Sequence, residues 1–418
     1  MKIVKKSTKF SIEHFLIYAF IISSVFCGTV EWKFLVSSPM PSFLANFLVV
    51  FVGLLAIAYE LILVRLPVRW FYFILYFLAV IGLHLLATRD NVLTTLKSYL
   101  TYLLVFFTYA VLLIKRGKIK VLFSAYANVF TVIGFITVFF WLFGSVLNIL
   151  PGRSTNEYKW ADKICRGYTY FRLYFENFFQ NQKLLGVNLP RNCGIYTEAP
   201  AFSGMLLHAF GIELFAEEGK NKKKVIILFI ALLSTQSTKA LIILIITMIV
   251  RMMVYDDKKH NVFWRLKWFL LIVLIPIAGV VIRYILVDKS STYSFTARMA
   301  HLRASIVTWL QHPLFGVGIS NSQAIIANST MPEAGLSMGL AVLLAKGGLL
   351  LFVFYFLAFW LPFKNKNLRN IRKEFCLFSM MAFMNLFVSN SAFGVAYILM
   401  LSVAYASCAV NYPKKREN

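Results

Sequence analysis

Long apolar runs separated by short basic clusters set the pattern of this chain. A helix needs about 20 apolar residues to cross a bilayer, and such runs recur from end to end. They predict helices near 12–30, 43–64, 70–88, 94–114, 121–149, 194–216, 225–236, 238–253, 268–287, 338–361, 375–389 and 392–411. Residues 225–250 would also make one long helix. If "KNKKK" before them and "RMMVYDDKKHNVFWRLK" after them both face the cytoplasm, two crossings are needed. "STQST" is then a polar hairpin tip.

Two interruptions are too long to be simple turns. Residues 151–193 are polar, aromatic and basic, with Arg153, Lys159, Lys163, Arg166, Arg172, Lys183 and Arg191. Residues 288–337 hold "RMAHLRASIVTWLQHPLFGVG" and then a Ser/Asn-rich stretch. Loops longer than about 15 residues are uncommon without a task. In the second loop Met299, Leu302, Ile306 and Leu310 recur at helical spacing, which suits an interfacial helix. The expected fold class is all-α: one integral membrane domain over 1–418, with about twelve transmembrane helices and two long outer loops. No internal repeat and no soluble domain stand out.

Composition agrees. The 418 residues are 60% hydrophobic, 17% aromatic and only 14% charged, more apolar surface than a soluble domain can hide. A formal charge of +26 would suit nucleic acid, but most basic residues lie in the short connections, where they set membrane orientation. Both termini are expected in the cytoplasm, and the short outer turns carry little beyond Lys33 and Arg89. "MKIVKKSTKF" resembles the start of a signal peptide. The apolar run after it is long and lacks an A-x-A-like site, so an uncleaved first helix is expected. Cys27, Cys376 and Cys408 fall in apolar runs, while Cys165 and Cys193 share the first loop, which leaves a disulfide between them open. No C-x-x-C or H-E-x-x-H pattern calls for a metal, and no cofactor is expected.

Three elements carry candidate chemistry. Glu198, two residues ahead of Pro200, belongs near the start of a helix. It either balances the helix dipole, with Arg191 an interfacial anchor, or joins Arg191 in an outer cavity. Lys239 follows Ser234, Thr235, Gln236, Ser237 and Thr238, six polar residues that form either a hydroxyl-capped turn or a phosphate site. Arg298, His301 and Arg303 precede His312-Pro313 and the glycines Gly316 and Gly318, which mark a tight chain reversal. The same basic residues would also anchor an amphipathic helix at headgroups. Together the three point to an anionic lipid-linked substrate, with pyrophosphate the natural partner of several Arg and Lys groups. Tyr158, Trp160, Tyr168, Tyr170 and Tyr174 suit an aromatic belt or sugar stacking.

These segments resemble a known set. "RNCGIYTEAPAF" resembles the R-x-x-G-hydrophobic-x-x-E-P segment of bacterial polysaccharide polymerases, and "LLSTQSTKALI" their T-x-S-[RK]-[GA] hairpin. "ARMAHLRASIVTWLQHPLFGVG" is similar to their R-x(n)-W-x-x-H-P-L-x-G-x-G loop, and "LAVLLAKGGLLLF" to the L-x-x-x-G-L helix beyond it. Over about 190–360 the chain thus resembles the O-antigen polymerase/ligase superfamily, specifically a Wzy-type repeat-unit polymerase.

The resemblance implies a glycosyltransferase of the bacterial plasma membrane, polymerising undecaprenyl-pyrophosphate-linked oligosaccharide repeat units at the outer face for capsule, O-antigen or a similar glycan. Membrane lipids, a chain-length regulator and a flippase would be its partners, and nucleic acid would not. Arg298 matches the loop arginine thought to meet the lipid pyrophosphate, and Lys239 stands where relatives usually have arginine. Arg191, Lys239, Arg298 and Arg303 are the expected pyrophosphate ligands; Glu198, His312 and Glu333 are the expected catalytic candidates, with His301 a further possible base. Ligases of the superfamily carry a histidine where this chain has Ser337, which favours a polymerase. A ligase-type glycan transferase and a lipid-linked oligosaccharide flippase are the alternatives.

Overall fold

A computed structural model of the protein describes residues 11–160, 163–178, 182–184, 187–216, 221–254, 293–331, 336–364, 382–386 and 393–410, with a few isolated positions between 276 and 287. The helices expected at 268–287 and 375–389 fall largely outside the described residues.

Helices dominate. The first five are α1 (Ile12–Phe26), α2 (Ser42–Leu63), α3 (Val68–Thr88), α4 (Thr101–Lys115) and α5 (Ile119–Phe139). Then come α6 (Ala199–Gly211), α7 (Lys222–Ser234), α8 (Thr238–Val254), α9 (Tyr293–Gln311), α10 (Gln323–Ala327), α11 (Gly339–Lys364) and α12 (Val395–Ala409). Among the described residues four helices are long and apolar enough to cross a membrane: Ser42–Leu63, Val68–Thr88, Ile119–Val146 and Gly339–Leu361. The apolar helices α1, α4 and α12 are shorter.

Helix α4 is the axis of the bundle. Every residue from Tyr102 to Ile114 except Leu104 is buried, so it is apolar around its whole circumference, as a central helix must be. It packs along α12, and an aromatic cluster fills the space toward α3 and α11. Phe77 meets Phe107 edge-on at 4.9 Å, and Tyr405 lies 5.1 Å from Phe354, to whose carbonyl its hydroxyl donates. By contrast α2 exposes Phe43, Phe47, Phe51, Leu54 and Ile62, the outward face expected of a helix against lipid.

The two ends of the bundle differ chemically. At one, Arg116 donates to both oxygens of Glu60, at 3.0 and 2.8 Å, and pairs with Glu13 at 3.3 Å. The other end carries β-structure, which corrects the all-α expectation. Residues 151–193 hold a three-stranded antiparallel sheet of β1 (Arg153–Trp160), β2 (Lys163–Tyr170) and β3 (Tyr174–Asn177), followed by the hairpin β4 (Gln182–Leu184) and β5 (Val187–Leu189). The Tyr, Thr and Ile residues of these segments favour the extended backbone of strands. Tyr170 and Tyr174 are fully buried and stack over Phe140 at the end of α5. Two main-chain bonds fasten β1 to the α1–α2 connection, Val36 N to Glu157 O and Lys159 N to Phe34 O.

A second difference lies at residues 194–198, expected as helix. Here the chain turns at Gly194–Ile195 and then lies beside Thr29–Glu31: Glu31 N donates to Ile195 O and Thr197 N to Thr29 O. The helix begins only at Ala199, where Pro200 in the first turn needs no N–H partner. The hairpin at 235–237 is as drawn from the charges, with α7 and α8 separate and Gln236 in the left-handed region at φ 49. A helix also forms in the second loop, where the spacing predicts one. Helix α9 turns Ala297, His301, Ala304, Ser305 and Thr308 inward against α11 and leaves Met299, Ile306 and Leu310 exposed. Its apolar stripe therefore faces outward.

Candidate functional site

Four segments meet at the sheet-bearing end. The stretch Pro190–Gly194 docks on the α7–α8 turn: Arg191 Nε donates to Thr235 O at 3.0 Å, and Asn192 bonds Ser234 through both its main-chain N–H and its carboxamide. Trp141 Nε1 and Gln236 Nε2 both donate to Pro190 O. Arg191 is thus held by the polar residues whose run marked the hairpin in the sequence. Those hydroxyls act as turn caps, Ser234 and Thr235 bonding carbonyls one turn back.

Lys239, on the first turn of α8, is buried and donates from Nζ to Pro200 O at 3.1 Å. That carbonyl also accepts from Ser203 Oγ. Gly204 lies beside it: a Cβ there would touch Nζ at an ordinary 3.6 Å but press on Asn385 Nδ2 at 3.1 Å. Glu198 is the N-cap residue of α6, yet its carboxylate makes no capping hydrogen bond. Lys239, Arg298 and Arg191 are instead the charges that act on it. Burial lowers the Arg298 guanidinium from its ordinary value and Glu198 raises it back. Burial likewise lowers Arg191, opposed by the nearby Cys193 and Glu198 and reinforced by Arg298. Both guanidinium groups keep their charge at any ordinary pH.

These cations and one carboxylate, from four separate segments, share one electrostatic environment. Among the described residues none of the three closes an ion pair with Glu198 within 4.0 Å. Such a constellation carries a surplus of positive charge around a single acid, which favours an anion with several oxygens. Cys193 lies alongside, its thiol pushed up to about 12 by burial, and forms no disulfide with Cys165.

The other expected residues stand apart. Arg303 is exposed on α9 and His312 is exposed just beyond the end of α9; neither is among the charges acting on Glu198. Glu333 lies outside the described residues. His301 is buried, with Nδ1 3.1 Å from Ser337 Oγ.

The "HPLFGVG" segment has a structural task. Leu349 N donates to Pro313 O, Leu350 N to Leu314 O, Val317 N to Ala345 O and Gly318 N to Lys346 O, so the loop lies main chain to main chain along a kink in α11. The kink is at Gly348, φ 60 and ψ −165. A side chain at Gly316 would meet Lys346 O at 2.5 Å, which explains the paired glycines.

Several polar residues at this end escape sequence reasoning. Asp90, just past α3, takes the Ser320 hydroxyl, the Ser320 N–H at 3.0 Å and the Thr95 hydroxyl. Lys346 donates to Ile319 O and Ser322 Oγ. A lysine inside the apolar run "LAVLLAKGG" was the signal available. Glu31, wholly buried beneath the sheet, gave none.

No protein-family model matches the chain, and no curated protein matches it significantly.

Proposed function

We propose that the chain is an integral-membrane glycosyltransferase that polymerises undecaprenyl-pyrophosphate-linked oligosaccharide repeat units at the outer face of the bacterial plasma membrane. In this reading twelve spans leave both termini in the cytoplasm, and the sheet-bearing end faces out. The observation that supports it is that Arg191, Lys239 and Arg298 all act electrostatically on the buried Glu198, with Lys239 Nζ on Pro200 O at 3.1 Å and Arg191 Nε on Thr235 O at 3.0 Å. Such a set suits a diphosphate, which offers several anionic oxygens to separate cations.

The chemistry needs little more. The acceptor sugar hydroxyl attacks the anomeric carbon of the donor glycan, a C–O bond forms, and the bond to the pyrophosphate breaks with its electron pair on the departing oxygen. Arg298, Lys239 and Arg191 stabilise the charge that develops there. Glu198, the carboxylate beside them, takes the hydroxyl proton. The exposed apolar stripe of α9 would rest at the interface and bring Arg298 to headgroup depth.

One observation favours a second, ligase-type reading. The position where ligases carry histidine is Ser337, but the His301 ring reaches its hydroxyl at 3.1 Å. An imidazole from α9 thus occupies the neighbourhood that serine leaves without a base.

The profile of lipid intermediates in a deletion strain tests both. Single lipid-linked units accumulating outside support polymerisation. Long unattached chains support ligation, and units retained inside support flipping.

A further inference from the structure

Beneath the sheet lies a second polar cluster, independent of the reading above. In the register of the three strands Asn156, Gly167 and Asn177 stand opposite one another, so both carboxamides project from one face with a glycine between them. The glycine is required. A Cβ at residue 167 would sit on the carbonyl of Glu176, and it would lie 3.1 Å from Asn177 Oδ1 and 3.2 Å from Asn156 Oδ1. Those two oxygens therefore converge over one backbone position.

Glu31 closes the cluster from the α1–α2 connection. It is 0% exposed, and Asn156 Nδ2 donates to its Oε1 at 3.1 Å. Asn177 Nδ2 donates to Thr197 O at 2.5 Å. Glu31 Oε2, Asn156 Oδ1 and Asn177 Oδ1 are buried with no hydrogen-bond partner among the described residues. No cation is among the groups acting on Glu31. Buried acceptors left without a partner are costly, so the arrangement asks for something positive. A proton on Glu31 could join two of these oxygens and would leave the third unmet. A cation serves all three.

We propose that Glu31, Asn156 and Asn177 form a binding site for a hard divalent cation of the calcium class. All the donor atoms are oxygens, which suits Ca²⁺ rather than zinc or copper. One carboxylate with two carboxamides gives an irregular, weakly charged set, which Ca²⁺ tolerates and Mg²⁺, with its strict octahedron, does not. The low charge places the affinity on the order of 10⁻⁴–10⁻³ M, the range of extracellular modules. The ion would tie the α1–α2 connection to β1 and β3. It would therefore bind the folded protein alone and stabilise it by mass action.

The test uses the full-length protein in detergent, first stripped with a chelator, with thermal unfolding followed as CaCl2, MgCl2 or NaCl is titrated. The expected result is a midpoint that rises with Ca²⁺ in the millimolar range, more than with Mg²⁺ at equal concentration and not with matched Na⁺, and that stays flat in Glu31→Gln and Asn177→Ala. A second measurement on unmutated protein guards against variants that fail to fold. Tb³⁺ luminescence sensitised by Tyr158, close enough to interact with Glu31, should appear and be displaced by Ca²⁺. Equal Ca²⁺ stabilisation in Glu31→Gln, a response to Na⁺ as large as to Ca²⁺, or absence of displaceable Tb³⁺ luminescence overturns the proposal.

Discussion

Gly348 and Leu314 meet main chain to main chain: the side chain that Gly348 lacks would occupy the carbonyl of Leu314 and lie 2.5 Å from Phe315 N. At φ 60 only glycine is at ease. Gly348→Ala is therefore expected to destabilise by at least the ~1–3 kcal/mol of left-handed strain, with the loop pushed off α11 besides. Gly82→Ala, on a helix with nothing within 4 Å of the new methyl, should instead stabilise slightly. Thermal unfolding of the two purified variants separates these outcomes.

Removing charge from the proposed site should cost turnover without costing the fold. Arg298→Ala is expected to lower polymerisation by about 10²–10³-fold, the usual loss when one stabilising donor is removed. Its unfolding midpoint should stay close to the parent's, because Arg298 makes no ion pair among the described residues. Glycan of normal length from this variant would take Arg298 out of the site.

Lys239 offers a sharper contrast. Lys239→Ala should abolish chain growth. Lys239→Arg keeps the charge, but it must fit a larger group beside Gly204 and Pro200 O, so partial activity is expected. Full activity in Lys239→Ala, read as glycan length on a gel, would remove the ammonium from any role.

At the opposite end Arg116 holds Glu60, whose side chain is 1% exposed, and Glu13. Arg116→Ala leaves the buried Glu60 without its partner and Glu13 with only Lys118, 3.7 Å away, and the expected loss of stability is about 3–5 kcal/mol. Adding Glu60→Gln to that background should recover part of it. A double-mutant cycle measures the coupling.

Glu31 makes stability depend on pH when the cluster is kept metal-free. Burial raises its carboxyl from 4.5 to about 8, while the carboxamides of Asn177 and Asn156 oppose the rise. The folded chain therefore keeps a proton that the unfolded chain releases near 4.5, and the stabilisation this gives is full below that value and is lost as pH rises through about 8. In the presence of chelator, the unfolding midpoint should fall between those pH values, and Glu31→Gln should flatten that part of the profile.

How much of this could be read in the letters differs from element to element. The spans announce themselves because apolar length is a local property, and α2, α3, α5 and α11 sit close to where the pattern put them. The polar run at 234–239 marked a real turn for the same reason, since six polar residues cannot continue an apolar helix. The start of α6 was misplaced because its neighbours decide it: residues 194–198 find main-chain partners at 29–31, more than 160 positions earlier. The sheet was missed for lack of a clean alternation, with tyrosines buried on both faces, Tyr158 on one and Tyr170 and Tyr174 on the other, and basic residues on both. Glu31 was invisible for a deeper reason. A single acid in a short turn looks like solvent-facing punctuation, and only the strand register sets two asparagines against it.

The main-chain bonds between β1 and the α1–α2 connection have a mechanical corollary. A stretch of chain that reads as slack tether is stitched along Phe34–Val36, and Thr29–Glu31 is stitched in turn to Ile195–Thr197. Spin labels on β2 and at the start of α2 should accordingly report one fixed separation. Whatever opens this end of the molecule has its hinge elsewhere.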